Sequence, residues 1–313
     1  MFLDIAVSGV SVIKGNPKID PELFVSELAL IDKGPYELNR IQKISAIGFL
    51  RALLDAGISL DKDNKEKIAI FLGNTYSAEG FKAEFSKIYK DSIPNLVSPS
   101  VFTFTTANSI TGWLGVQFGI KDKNLTFTNG CISGSQAILA GCDILISGKA
   151  DIAVAGGISL FCEDIKDELC ESGFQQELAG FLILENRQKA VDAGRKPCLL
   201  IKGFQQGFLS DSDINDLNRG ELPVELDDCC MKFGYRGKKG ILVHLGNSID
   251  GKNFLKCNKI KNQDRNEQVN ILNDSIGNAF SAAGIIGVSY VDKEVFLDID
   301  SYGAYAGIAT NAE

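Results

Sequence analysis

Cys131 has the setting in which a thiol does chemistry. It stands in NLTFTNGCISGSQAILAGCDIL, just after a β-like run and just before an apolar helical one. Unpaired backbone N–H groups and the helix dipole at such a junction favour the thiolate, the nucleophilic form of cysteine. The small neighbours Gly130, Ser133 and Gly134 leave room for a carbonyl to approach the sulfur, so a thioester is the chemistry this setting suits. The competing reading is a buried cysteine packed as a small hydrophobe. Most of the eight cysteines (131, 142, 162, 170, 198, 229, 230 and 257) are expected to be that.

No C-x-x-C pair occurs among them, and the single histidine leaves little for a Cys/His zinc site, so no metal ligand set is expected. A disulfide framework is not expected in so large a chain without a secretory signal. That histidine, His244, ends the apolar run GILVHLGNS. At a strand end it reads, on the residues alone, as a structural group hydrogen-bonded to nearby backbone. Asn278 lies in IGN ahead of a second apolar run. On the residues alone it reads as a cap of the helix that follows.

The elements that must position these residues alternate between β-rich and helical patterns. FLDIAVSGV, KIAIFLGN, NLTFT, DIAVAGG, AGFLILE, CLLIKGF, GILVHLG and EVFLDID read as strands, most of them buried on both faces. NRIQKISAIGFLRALLDAG reads as a helix with Ile41, Ile44, Leu50, Leu53 and Leu54 inward and Gly57 at its C-cap. Two helical runs are apolar or small almost all round: SGSQAILAGCDILISG after Cys131 and AFSAAGIIGVSY after Asn278. A helix with no polar face is buried on every side, which predicts an α/β fold of layers α-β-α-β-α with duplicated halves and two buried central helices. The polar stretch LSDSDINDLNRGELP, residues 209–223, is the expected seam.

Composition narrows the function classes. A formal charge of −8 disfavours nucleic acid as partner, because phosphate-binding surfaces need a positive field. The most apolar stretch, Ile138 to Phe161, is interrupted by Asp143, Lys149 and Asp151, and no membrane span is expected. MFLDIAVSG lacks a basic leader and carries Asp4, so a cytoplasmic protein is expected. No Gly-rich phosphate loop and no nicotinamide or flavin fingerprint occurs, and no cofactor is expected.

Several segments together carry a family likeness: VSPSVFTFTTANSITGWLGVQFGIKDKN before the cysteine, TNGCISGSQAI around it, DIAVAGGIS after it, then GFQQELAGFLILENRQKAVDAGRKP. In this order, across most of residues 36–205, the chain resembles the β-ketoacyl synthases. These are condensing enzymes of the thiolase-like fold that extend acyl chains on acyl carrier protein in fatty-acid and polyketide synthesis. More distantly, HLGNS resembles the family's His-Gly-Thr-x-Thr, IGNAFSAAGIIGV its Gly-His-x-x-x-Ala-Ala-Gly, and DSYGAYAG its Ser-Phe-Gly-Phe-Gly-Gly. The resemblance implies one ketosynthase-like unit over 1–313, with the nucleophile in an N-terminal half, 1–190, and a shortened C-terminal half, 191–313. It implies Cys131, His244 and Asn278 as the catalytic set, with backbone N–H groups of Cys131 and Ala304 as the oxyanion hole. Asn108 and Tyr302 fall at substrate-binding positions.

The departures from the family pattern are as informative. Extension synthases carry a second histidine where Asn278 stands; Cys-His-Asn resembles the set of initiating and chalcone-synthase-like enzymes. Asn273 occupies the offset of a family lysine, and Ala304 that of the mobile phenylalanine gate. Two functions are therefore implied: an acyltransferase that loads Cys131 and condenses with malonyl carrier, or a catalytically impaired subunit similar to a chain-length factor. The retained Cys131 argues against the second, since chain-length factors typically lack it. Implied partners are acyl carrier protein or acyl-CoA thioesters, together with a homodimer or a heterodimer with another ketosynthase through the strand about Leu125 to Thr128. Lys121 and Lys123, or Arg236, Lys238 and Lys239, are the candidate carrier-docking patches.

Overall fold

The computed structural model describes residues 4–15, 38–61, 64–91, 99–160, 162–167, 177–233, 241–246, 249, 269–276, 278–289 and 295–312. Its strands are β1 (Ile5–Gly15), β2 (Ile68–Asn74), β3 (Asn124–Phe127), β4 (Ile152–Ser159), β5 (Glu177–Asn186), β6 (Leu199–Phe208), β7 (Ile241–Leu245), β8 (Val269–Ile271), β9 (Val295–Ile299) and β10 (Ala304–Ala312). They lie in the order β3-β2-β4-β5-β1-β6-β10-β9-β7-β8. Counting from the two outer edges, the order of the first five strands is repeated by the second five. The directions repeat too: β2 is parallel to β3 and β4, and β7 is parallel to β8 and β9. β5 and β10 then run antiparallel to β4 and β9. The halves meet where β1 pairs with β6 over Ile5, Ala6 and Val7. This is the duplicated arrangement expected from the two apolar helices.

Side chains alternate across each strand and so divide the core into layers. Ala69 and Phe71 of β2, Leu242 of β7 and Phe296 of β9 enter an inner core with the buried helix Ser133–Ile146 and the second central helix Ala283–Ser289. Ile68, Ile70 and Leu72 face an outer core built with helices Arg40–Asp55 and Ser109–Phe118. Ile241, Val243, Leu245, Val295, Leu297 and Ile299 face the other outer core, under helices Asp211–Arg219 and Val224–Lys232. Three helical layers result, one between and one outside each of the two halves of the ten-stranded sheet. The same alternation turns His244 and Asp298 inward, because their strand neighbours face out.

Helix Arg40–Asp55 begins in a capping box, Asn39 accepting from the Gln42 N–H (3.0 Å) and Gln42 from that of Asn39 (2.9 Å). Its C-cap is Ala56, with Gly57 one residue beyond at φ 66°. Leu54, expected inward, is 66% exposed. The segment expected as a seam holds helix Asp211–Arg219, capped by Ser210, and the change of half falls earlier, between β5 and β6. Among the described residues no helix is long and apolar enough to cross a membrane.

One buried charge fastens the halves' junction. Glu185 on β5, 1% exposed, accepts from Arg195 Nε (2.9 Å) and Nη2 (2.5 Å) and from Ser8 Oγ of β1 (2.5 Å). Arg195→Ala leaves that carboxylate uncompensated, and the cost of breaking such a pair is about 3 kcal/mol. The expected result is a lower urea midpoint for Arg195→Ala, largely restored by adding Glu185→Gln.

Candidate active site

Two equivalent turns, each a single 3-10 turn leading into a central helix, form the site. Gly130–Ile132 precedes Ser133–Ile146, and Phe280–Ala282 precedes Ala283–Ser289. Gly130 takes φ 60°, a conformation that glycine adopts without strain. Its carbonyl accepts from Thr75 Oγ1 and Ser133 Oγ, both at 2.8 Å, while Thr75 Oγ1 also lies 2.5 Å from Ser281 Oγ. One threonine thus ties the turns together. Ser159 fixes the second turn from β4, its Oγ donating to the Ala279 carbonyl (2.5 Å) and accepting the Ala282 N–H (3.3 Å).

Asn278 caps that second turn, its Oδ1 accepting the Phe280 N–H at 3.0 Å. The same oxygen lies 3.8 Å from Cys131 Sγ. That one oxygen accepts from the turn and meets the thiol, while the donor group of the side chain, the Asn278 NH2, takes no part in either contact. Cys131 is 5% exposed and packs with Cys162 and Phe280, with Tyr76 and Ile165 alongside. Phe280 has φ 40°, and its ring meets Tyr76 edge-on at 5.1 Å.

A residue not singled out in the sequence dominates the electrostatics. Asp300, at the end of β9 and buried, accepts the Cys131 backbone N–H on Oδ2 and the Tyr302 N–H on Oδ1, each at 2.9 Å. A Cβ on residue 130 would overlap that carboxylate, so Gly130 is also what lets Asp300 approach. Burial, then the Asp300 and Asp298 carboxylates, push the Cys131 thiol well above its ordinary pKa, and the Asn278 contact pulls weakly the other way. Desolvation and two acidic neighbours thus work against the thiolate that a helix N-terminus favours. The available signal was Asp298 and Asp300 two apart in an apolar strand, which puts both carboxylates on one face.

His244 is fully buried. Its Nδ1 lies 2.9 Å from Asp298 Oδ1, and Asp298 Oδ2 accepts from Ser135 Oγ at 2.6 Å, in the first turn of the helix behind Cys131. Among the described residues, Nε2 of His244 is buried without a hydrogen-bond partner. Asn273 grips the same strand, accepting the Leu245 N–H and donating to the Leu245 carbonyl, each at 2.9 Å. Asn273 is thus an amide clamp on β7.

Asp300 also links the Cys131 turn to the start of β10. Ala304 opens β10 opposite Phe208, and its carbonyl accepts the Asp300 N–H at 2.7 Å. No described hydrogen bond directs Ala304 and Cys131 to one acceptor. Asn108 is exposed ahead of helix Ser109–Phe118 and makes no cap bond. Tyr302 is 82% exposed. Lys121 pairs with Glu66 (2.9 Å) and Lys123 with Asp122 (3.4 Å), which neutralises that patch; Arg236, Lys238 and Lys239 lie outside the described residues. Among the described residues no group of His, Cys, Asp or Glu is arranged to hold a metal ion.

Comparison with known proteins gives a consistent result. The family described as "Beta-ketoacyl synthase, N-terminal domain" matches residues 11–175, more than half of the chain. "Probable polyketide synthase 10" of Dictyostelium discoideum is 22% identical over 272 residues, which are 76% of this chain and 10% of that protein. "3-oxoacyl-[acyl-carrier-protein] synthase 2" of Vibrio harveyi is 23% identical over 191 residues, 60% of this chain and 44% of that protein. The chain spans less than half the length of the curated relatives it matches. Among solved structures, "The ishigamide ketosynthase/chain length factor" superposes with a TM-score of 0.78 at 15% identity, covering 100% of both chains. A ketosynthase complex described as "type II PKS acyl-carrier protein in complex with its ketosynthase bound to the hexaketide" follows with a TM-score of 0.73 at 16% identity, again covering 100% of both.

Proposed function

The chain belongs to the β-ketoacyl synthase family, and from that premise we propose that it serves as the non-condensing partner of an active synthase, in the manner of a chain-length factor. The family is one of condensing enzymes in fatty-acid and polyketide synthesis. Condensation needs a thiol that ionises and free donors where negative charge develops on the acyl oxygen. The observation that carries the proposal is the Asp300 carboxylate on the Cys131 N–H, at 2.9 Å. An anion already sits where an oxyanion would have to form. Asn278 in place of a second imidazole, with its oxygen on the Phe280 N–H, points the same way. Pairing would extend the sheet at its β3 edge, where Leu125 is half exposed.

The alternative is an acyltransferase that loads Cys131 from acyl carrier protein or coenzyme A and condenses the acyl group with malonyl carrier. It is favoured by the retained thiol beside the Asn278 amide.

Co-expression with a full-length synthase and intact-mass spectrometry distinguish the two. The expected result is a stable one-to-one complex. The isolated chain, incubated with acyl thioesters and then malonyl carrier, is expected to show neither a Cys131 adduct nor condensed product. An adduct followed by product from the chain alone would replace the partner reading with the acyltransferase one.

A further inference from the structure

The inner core holds an acid, a hydroxyl and an imidazole in series. Ser135 Oγ reaches Asp298 Oδ2 and Asp298 Oδ1 reaches His244 Nδ1, all three buried. The pairing is built into the sheet: His244 and Asp298 are direct partners across β7 and β9 and face inward together. The far nitrogen of the ring, Nε2, is buried with no partner among the described residues. A buried polar atom left without a hydrogen bond costs folding free energy, and such atoms occur where a site is made for something else to meet them.

What that something is depends on which nitrogen bears the ring proton, because neutral imidazole has one donor nitrogen and one acceptor. A carboxylate accepts only, so against ionised Asp298 the proton belongs on Nδ1. We propose that Asp298 holds His244 as the Nδ1–H imidazole, so that Nε2 offers a lone pair within the inner core and the site takes a hydrogen-bond donor such as a hydroxyl or an amide N–H. This polarity is the reverse of the one that would polarise a thioester carbonyl, which needs a donor. Asp298 is in this sense a positioning residue: it acts on a ligand through the ring it orients. Burial raises the Asp298 carboxyl above its ordinary pKa, while the bonds from His244 and Ser135 lower it. The assignment holds whether or not the chain pairs with a synthase, since it concerns one proton on one ring.

His244 is the chain's single histidine, so 15N-labelled histidine gives one imidazole spectrum with nothing to assign. At a pH of about 8, where an ordinary imidazole is neutral, the wild-type ring is expected to carry its proton on Nδ1 with Nε2 bare. Asp298→Ala removes the acceptor, and the proton is expected to move to Nε2, the form free imidazole side chains prefer in water. Asp298→Asn is expected to keep Nδ1–H, because its amide oxygen still accepts from the ring while its NH2 meets Ser135, whose hydroxyl can accept as well as donate. A wild-type ring protonated on Nε2, either as the other tautomer or as the imidazolium, overturns the proposal. So does an Asp298→Ala spectrum identical to wild type. If the alanine variant does not fold, the wild-type spectrum decides by itself.

Discussion

Asp300→Asn is expected to speed alkylation of Cys131 by about tenfold or more at mildly alkaline pH. The thiolate is the species that attacks iodoacetamide, so the rate follows the fraction ionised. Asp300 lowers that fraction by placing a negative charge against the sulfur in a region already poor in water. Asparagine keeps the shape and removes the charge. The thiol pKa then falls, and each unit of fall is about tenfold in thiolate while the pH stays below the pKa. A second effect adds to the first. The carboxylate uses one oxygen for the Cys131 N–H and the other for the Tyr302 N–H, whereas an amide has one oxygen and one NH2, so one of these two N–H groups is released. If it is that of Cys131, a backbone donor beside the sulfur is freed as well. Cys198 is exposed and reacts in any background, so the rate must be read on the Cys131 peptide, with Cys131→Ser as the blank. An unchanged rate in Asp300→Asn would mean that burial alone restrains the thiol, and the partner reading would lose its carrying observation.

Much of this arrangement was legible in the sequence, for reasons that individual elements make plain. β2, IAIFLGN, is buried along its whole length and reads as a strand because nothing polar interrupts it. The two central helices announced themselves by lacking any polar face, and the duplication followed from there being two. β8 and β10 were missed. The first is three residues long, and the second, AYAGIATNA, is written in small residues that resemble a loop motif more than a strand. Its pairing with β6 and β9, and not its own propensity, makes it a strand. Cys131 and Asn278 were found because helix junctions have a local signature. Asp300 and Tyr76 escaped because their importance lies in contacts with residues 169 and about 55 positions away, and no local pattern encodes such a distance. The polarity of His244 was hidden for the same reason: it is set by Asp298 on a neighbouring strand.

The contact that brings these distant pieces together is the close crossing of the two central turns, and adding one methyl group there is expected to cost about 3 kcal/mol of folding stability, the upper end of what overpacking usually costs. A Cβ on Gly134 would overlap the Ser281 carbonyl oxygen, and one on Gly284 would overlap the Ser135 N–H. Backbone atoms stand in the way at both positions, joined at Gly284 by Ser135 Oγ, so moving a side chain aside does not relieve the overlaps. Gly134→Ala must therefore separate the turns, lengthening the reach from Asn278 to Cys131 and loosening Ser135 from Asp298 at the same time. Gly148, at the far end of the same helix, is the control. It has φ 66° but nothing within 4 Å of an added Cβ, so Gly148→Ala adds only backbone strain of about 1 kcal/mol. Urea unfolding should show a far larger loss of midpoint for Gly134→Ala than for Gly148→Ala, and equal losses would sink the idea that the crossing holds the site. Gly134→Ala with Gly284→Ala should lose less than the sum of the two single changes, because once the first methyl has parted the turns the second finds space already made.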